Sequence, residues 1–123
     1  MLRTTLALAC LTSLAAAQTT TTVGPDAVPV GGRLSITLSN DNPGKFGITT
    51  GLWEVFDAAG ASVYAGTPGG ALLMGPGGWY TQRWELVDQG GQPVPPGSYR
   101  VDVRYDTFAP IESFPFTITP DAA

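Results

Sequence analysis

Apolar and polar residues alternate along several short segments of the chain. Between positions 98 and 106 every second residue is apolar, at Tyr99, Val101, Val103 and Tyr105, and the others are polar. A period of two places successive side chains on opposite faces of a β-strand. One apolar and one polar face are typical of an antiparallel sheet that covers a core on one side only.

Similar segments recur along the chain, and turn residues separate them. Gly, Pro, Asp and Asn cluster at residues 40–44, 88–91 and 95–97, where the chain must reverse direction. The predicted strands cover residues 33–39, 46–50, 53–57, 62–64, 79–86, 99–105 and 114–119. With 16 glycines and 11 prolines in 123 residues, long helices are disfavoured. The pattern therefore predicts an all-β protein, an antiparallel β-sandwich of about seven strands.

The first residues resemble a cleavable export signal. Arg3 supplies a positive charge, residues 6–14 are mostly apolar, and residues 15–17 are three alanines that a signal peptidase can accept. The apolar run is shorter than the roughly 20 residues of a membrane-spanning helix. We expect cleavage after Ala17, and hence a secreted, periplasmic or cell-envelope protein. A second interpretation of the same segment is a lipoprotein acylated at Cys10, the single cysteine of the chain.

The remaining chain is long enough for one domain with a single core. We expect residues 18–30 to form an extended tether or an edge strand, because Pro25 and Pro29 restrict pairing. Residues 31–120 are expected to form the sandwich domain, and residues 121–123 a short tail. Without disulfides in the mature chain, stability must come from burial of large side chains such as Trp53, Trp84, Tyr99 and Phe116.

Composition and charge exclude several classes of function. Six basic and ten acidic residues give a net charge of −4, which becomes −5 when Arg3 is removed with the leader. A mildly acidic chain without a basic patch argues against nucleic acid and anionic membranes as partners. The absence of histidine and of a mature cysteine excludes Ser–His, Cys–His and His–metal chemistry. We therefore expect no enzyme activity and no cofactor.

The remaining polar clusters are interpreted as turns. Asp57 and Asp88 each precede a glycine by three residues, which is typical of a carboxylate that caps a turn. Asn40, Asp41 and Asn42 could supply oxygen ligands to calcium, but a turn is needed at the same place. We expect turn capping at both aspartates and no metal site.

Three segments in order resemble the bacterial BsuPI-type proteinase inhibitor family. They are residues 51–60 (Gly-Leu-Trp-Glu-Val-Phe-Asp-Ala-Ala-Gly), Pro76-Gly77, and residues 84–101, which contain Trp-x₃-Asp and Val-Pro-Pro-Gly-x-Tyr-x-Val. The resemblance covers about residues 33–105. It implies an immunoglobulin-like β-sandwich that binds a protease, and the export leader would place that protease outside the cytoplasm. The last segment is also similar to the immunoglobulin-like module of flagellar hook-capping proteins.

The candidate partner contacts are apolar residues of two loops, together with Trp79 on the outward face of the predicted strand 79–86. The candidates, in chain order, are Leu72, Leu73, Met74, Trp79, Phe108, Pro110 and Ile111. The first candidate loop is residues 66–78, and the second is residues 107–113. An apolar loop on a rigid sheet scaffold is a common way to bind another protein.

Alternative interpretations accompany these candidates. Residues 72–74 can instead fold back over the edge of the sandwich, and a neighbouring loop can cover Trp79. At the level of function, the alternative to a protease inhibitor is a structural or adhesive module of the cell envelope. A third hypothesis is carbohydrate binding through Trp79 with Tyr64 or Tyr105.

Overall fold

A computed structural model describes residues 11–15 and 19–120, which form eleven β-strands and no helix. The strands are β1 (Leu11–Ala15), β2 (Thr19–Gly24), β3 (Ala27–Pro29), β4 (Leu34–Asn40), β5 (Phe46–Thr49), β6 (Trp53–Asp57), β7 (Ser62–Ala65), β8 (Ala71–Met74), β9 (Trp79–Trp84), β10 (Gly97–Val103) and β11 (Glu112–Thr119). The prediction of an all-β protein is confirmed. The predicted number of strands is too low, because β1 and β8 were not expected as strands, and residues 18–30, which form β2 and β3, were expected only as a tether or an edge strand.

Two sheets form the body of the protein. The order of strands is β1-β2-β4-β9 in one sheet and β3-β11-β10-β6-β7 in the other. Neighbouring strands are antiparallel, except that β3 runs parallel to β11. The apolar faces of the two sheets share one core, as in a sandwich. The core comprises Val23, Val28, Leu34, Ile36, Leu38, Ile48, Trp53, Val55, Met74, Trp84, Leu86, Val94, Tyr99, Val101, Val103, Phe114, Phe116 and Ile118.

Aromatic side chains join the two sheets. The Trp84 ring of β9 lies 6.2 Å from the Tyr64 ring and 6.1 Å from the Phe116 ring, both of which belong to the opposite sheet. Tyr99 stacks on Phe116 at 5.8 Å. The predicted core positions of Trp53, Trp84, Tyr99 and Phe116 are confirmed.

The N-terminal part of the described chain differs from its prediction. Thr19–Gly24 is an integral strand between β1 and β4, with Thr19 and Thr21 buried, and is not a tether. Ala27–Pro29 is an edge strand, as expected from its prolines. The predicted leader, residues 1–17, includes β1, and its cleavage stays a prediction. Cys10 and the predicted tail lie outside the described residues.

Residues 66–78 are only partly a loop. Within them, β8 pairs with β5 as a separate two-stranded ribbon. Met74 lies opposite Phe46 on the inward face of the ribbon and is only 5% exposed. Leu72 shares that face and packs against the core. The prediction of Met74 as a surface contact is therefore wrong, and Leu72 is half-buried.

None of the described residues belongs to a helix that could cross a membrane.

Candidate functional site

The β5–β8 ribbon bridges the two sheets at one end of the sandwich. At the end of β4, the Asn40 side-chain amide donates to the Met74 carbonyl oxygen at 3.0 Å. Beyond β10, the Thr49 backbone N–H donates to the Tyr105 carbonyl oxygen at 2.9 Å, and the Phe46 and Tyr105 ring centroids are 5.4 Å apart. We call this region, formed by residues 40–52, 66–79 and 104–111, the ribbon end.

Exposed apolar side chains are concentrated at the ribbon end. Among the described residues, the exposed large apolar side chains are Val30 (42% exposed), Leu73 (63%), Trp79 (69%), Phe108 (94%) and Ile111 (57%). Only Val30 lies at the opposite end, where its N–H bonds to Thr119. Several exposed apolar residues on one side of a small domain are typical of an interaction surface.

Phe108 lies at the tip of a turn that backbone and side-chain hydrogen bonds hold in place. The Asp106 carboxylate accepts from the Thr107 N–H at 2.9 Å, and the Asp106 carbonyl accepts from the Ala109 N–H at 3.1 Å. The Arg104 guanidinium donates to the Thr107 carbonyl oxygen at 3.1 Å. Because the turn is already ordered, binding through Phe108 would cost little conformational entropy.

Ile111 lies beside a groove of about 250 Å³ across the outer face of the five-stranded sheet. Its lining is apolar at Leu52 and Pro68 and acidic at Glu54 and Asp102. These two carboxylates are directly opposite in the register of β6 and β10, an unfavourable arrangement for like charges.

Neighbouring donors offset part of that repulsion. Ser62 donates to Glu54 at 2.5 Å, and Ser113 donates to Asp102 at 2.6 Å. Arg100 forms an ion pair with Asp102 at 3.2 Å. The groove thus combines apolar walls with two carboxylates, of which Asp102 is paired with Arg100, and the basic residue Arg104 also lines it.

The structure brings five of the seven sequence-predicted contacts to the ribbon end with their side chains exposed, and these are Leu73, Trp79, Phe108, Pro110 and Ile111. The predicted outward orientation of Trp79 is confirmed. Leu73 lies opposite Gly47, so that no neighbouring side chain covers it from that strand. Sequence reasoning missed the contribution of Leu52 and Pro68 to the groove, because no local pattern indicates which strands are neighbours.

Asp57 and Asp88 cap turns, as predicted. In each case Oδ1 accepts hydrogen bonds from the backbone N–H groups two and four residues later, at 2.9–3.0 Å for Asp57 and 2.9 Å for Asp88. Both turns lie at the end of the sandwich opposite the ribbon end. These carboxylates have a structural role that explains their spacing to glycine.

Asn40 also has a structural role. Its Nδ2 lies within hydrogen-bond distance of the carbonyl oxygens of Gly44, Met74 and Gly75, at 2.9–3.0 Å, and its Oδ1 accepts from the Asn42 N–H at 2.9 Å. Both polar atoms of the side chain are therefore engaged in the turn. Within residues 11–15 and 19–120 there is no cluster of three or more acidic, His or Cys residues that could hold a metal.

Comparison with known proteins gives no matching family and no similar curated protein. Similar solved structures include a β-glucosidase from Listeria innocua in complex with isofagomine (17% identity, 82% of this chain, 16% of that chain, TM-score 0.47). Another is a β-glucosidase from Erythrobacter marinus (18% identity, 79% of this chain, 14% of that chain, TM-score 0.46). A third is an alkylpurine DNA glycosylase from Pseudomonas fluorescens bound to DNA (17% identity, 81% of this chain, 29% of that chain, TM-score 0.42). This chain spans less than a third of each of them. At these TM-scores the similarities support no functional assignment.

Proposed function

We propose that this chain is an exported, non-enzymatic protein-binding domain with an immunoglobulin-like sandwich fold, similar to the BsuPI-type proteinase inhibitors. The observation that carries the proposal is Phe108, a large apolar side chain that is 94% exposed on an ordered turn. The immunoglobulin-like topology is supported by Tyr99, whose hydroxyl donates to the Pro95 carbonyl oxygen at 2.5 Å. A tyrosine that bonds back to the backbone a few residues upstream is found in many such sandwiches.

The ribbon end has the physical properties of a binding surface. Burying an exposed Phe side chain contributes about 1.5–3 kcal/mol, and aromatic side chains dominate the energetics of many interfaces. Leu73, Trp79 and Ile111 are further exposed apolar side chains at the same end of the sandwich. The rigid sheets behind them keep the loops in a fixed position, which favours recognition of a preformed cleft.

A secreted or periplasmic protease is the first candidate partner, on the strength of the resemblance. The mechanism we propose is occlusion, in which the loop at residues 104–111 fills the protease cleft without being cleaved. The alternative partner is a component of the cell envelope that the same surface binds without inhibition.

The test uses the processed chain purified from cells that export it. It should inhibit at least one member of a panel of secreted proteases at micromolar concentration, and Phe108→Ala should weaken inhibition at least about tenfold. Val30→Ala is the matched control, because Val30 is an exposed apolar residue at the opposite end. Failure to inhibit any protease would contradict the inhibitor function. A captured envelope protein that is lost with Phe108→Ala would then support the alternative.

A further inference from the structure

A second groove, of about 410 Å³, lies between edge strand β9 and the loops at residues 50–51 and 66–67. We call it the edge groove. It is lined by Thr50, Gly51, Trp53, Tyr64, Gly66, Thr67, Tyr80, Thr81, Gln82 and Arg83. Its volume lies within the range of small-molecule sites in proteins.

Two glycines fix the wall of the edge groove. Gly51 has φ +82°, and a Cβ atom there would lie 1.9 Å from the Thr67 carbonyl oxygen. A Cβ atom at Gly66 would lie 2.8 Å from the Trp53 indole nitrogen. The two loops can therefore approach each other and the indole only because both residues lack a side chain. The shape of the groove is built into the backbone and does not depend on a ligand.

The edge groove presents aromatic surface. The half-buried Tyr64 ring lies 5.4 Å from the Trp53 ring at an interplanar angle of 31°, and both residues line the groove, although Trp53 is only 9% exposed. Tyr80 faces them from β9 and is half-buried. Such rings combine a flat apolar face with a polar tip.

Polar groups that are not used by the fold face the same space. Gln82 Oε1 accepts from the Gly51 N–H at 2.7 Å and from the Trp53 indole N–H at 3.2 Å, which orients the amide. Within the described part of the chain, the Gln82 amide nitrogen and the hydroxyls of Tyr64 and Tyr80 have no hydrogen-bond partner. These groups are therefore available to a ligand.

The charge of the edge groove is opposite to that of the protein. The chain has a net charge of −4, but no acidic residue lines this groove. Its single charged lining residue is Arg83, which forms no ion pair with any other described residue. A guanidinium is suited to paired hydrogen bonds with a carboxylate.

We propose that the edge groove binds a saccharide that carries a carboxylate. A C–H face of the sugar would pack on the half-buried rings of Tyr64 and Tyr80, and its hydroxyls would bond to the Gln82 amide and the Tyr80 hydroxyl. The carboxylate would pair with Arg83. This site is separate from Phe108 and does not depend on the partner protein proposed above. A peptide added to the edge of β9 is the competing occupant, which the test below distinguishes from a saccharide.

The test is calorimetric titration of the full exported chain with an oligogalacturonate and with a neutral cello-oligosaccharide. We expect the oligogalacturonate to bind more tightly, and Arg83→Ala to weaken its binding at least about tenfold. Tyr80→Phe, which keeps the ring and removes the hydroxyl, should weaken binding by a smaller factor. Arg33→Ala is the matched control, because Arg33 pairs with Glu85 outside the groove. It should leave binding unchanged.

Three results would overturn the proposal. In the first, neither saccharide binds. In the second, Arg83→Ala and Arg33→Ala weaken binding equally. In the third, the neutral cello-oligosaccharide binds as tightly as the oligogalacturonate. Occupation of the edge groove by an extended peptide, seen as selective protection of β9 amides from hydrogen exchange, would likewise contradict it.

Discussion

The side-chain amide of Asn40 donates to the carbonyl oxygen of Met74 at 3.0 Å, and thereby connects the end of β4 to the end of β8. The two residues are 34 positions apart in the sequence, and both are buried. This contact holds the ribbon against the sheet that carries β9. The exposed residues of the ribbon end consequently project from a fixed base.

Asn40→Ala should destabilise the protein by about 2–4 kcal/mol, because it leaves buried or half-buried carbonyl oxygens without a donor. Urea unfolding followed by tryptophan fluorescence measures the change. Gln92→Ala is the control, since its side chain is exposed, and we expect it to change stability by less than about 0.5 kcal/mol. Equal stability of the two variants would show that the Asn40 contacts do not hold the ribbon.

Gly51→Ala should destabilise the protein much more than Gly60→Ala, although φ is similar at the two residues, +82° and +85°. Both substitutions strain the backbone, but an added Cβ has open space at Gly60 and meets the Thr67 carbonyl oxygen at Gly51. We expect a loss of about 1 kcal/mol at Gly60 and of more than about 3 kcal/mol at Gly51. Similar losses in denaturant unfolding would contradict the close approach of the two loops.

Phe108→Ala should leave the stability of the free protein unchanged within about 0.5 kcal/mol, because the side chain is almost fully exposed. Phe116→Ala, in contrast, removes a ring from between Trp84 and Tyr99 and should cost about 3–5 kcal/mol. Thermal unfolding of both variants gives the comparison. A large loss of stability in Phe108→Ala would mean that the ring is part of the core.

The pKa of Tyr99 is raised above its ordinary value of 10.0, first by burial and second by the negative charge of Asp57. The folded protein therefore keeps the phenol proton at pH values where the unfolded chain has lost it. This contribution to stability is complete below pH 10.0 and is lost as the pH rises through the raised folded pKa.

Urea unfolding at a series of pH values from neutral to strongly alkaline measures that loss. Tyr99→Phe should be less stable at neutral pH, because the bond to Pro95 is absent, but its stability should decline less steeply above pH 10.0. An equally steep decline in the variant would assign the alkaline transition to another group.

Much of the sandwich could be predicted from the sequence because its central strands bury one face. In β4, apolar residues alternate with polar ones in the sequence, and the apolar Leu34, Ile36 and Leu38 are all buried. The outward position of Trp79 and the turn capping by Asp57 follow from equally local rules. Such features depend on neighbouring residues, which the sequence displays directly.

The ribbon end could not be predicted because its contacts join distant segments. Ala71–Met74 is a short apolar run flanked by glycines, without the alternation that reveals a half-buried strand. Only the pairing with Phe46–Thr49 determines that Met74 is buried and Leu73 is exposed. The burial of Thr19 and Thr21 in β2 could not be predicted either, because their side chains are polar and only their position in the sheet buries them.

The most direct test of a binding function at the ribbon end is site-specific photo-crosslinking in the cells that export the protein. A photoreactive amino acid at position 108 should give a discrete crosslinked product with one partner protein, and the same amino acid at position 30 should give none. Equal crosslinking at the two positions, or crosslinking at position 30 alone, would contradict the account.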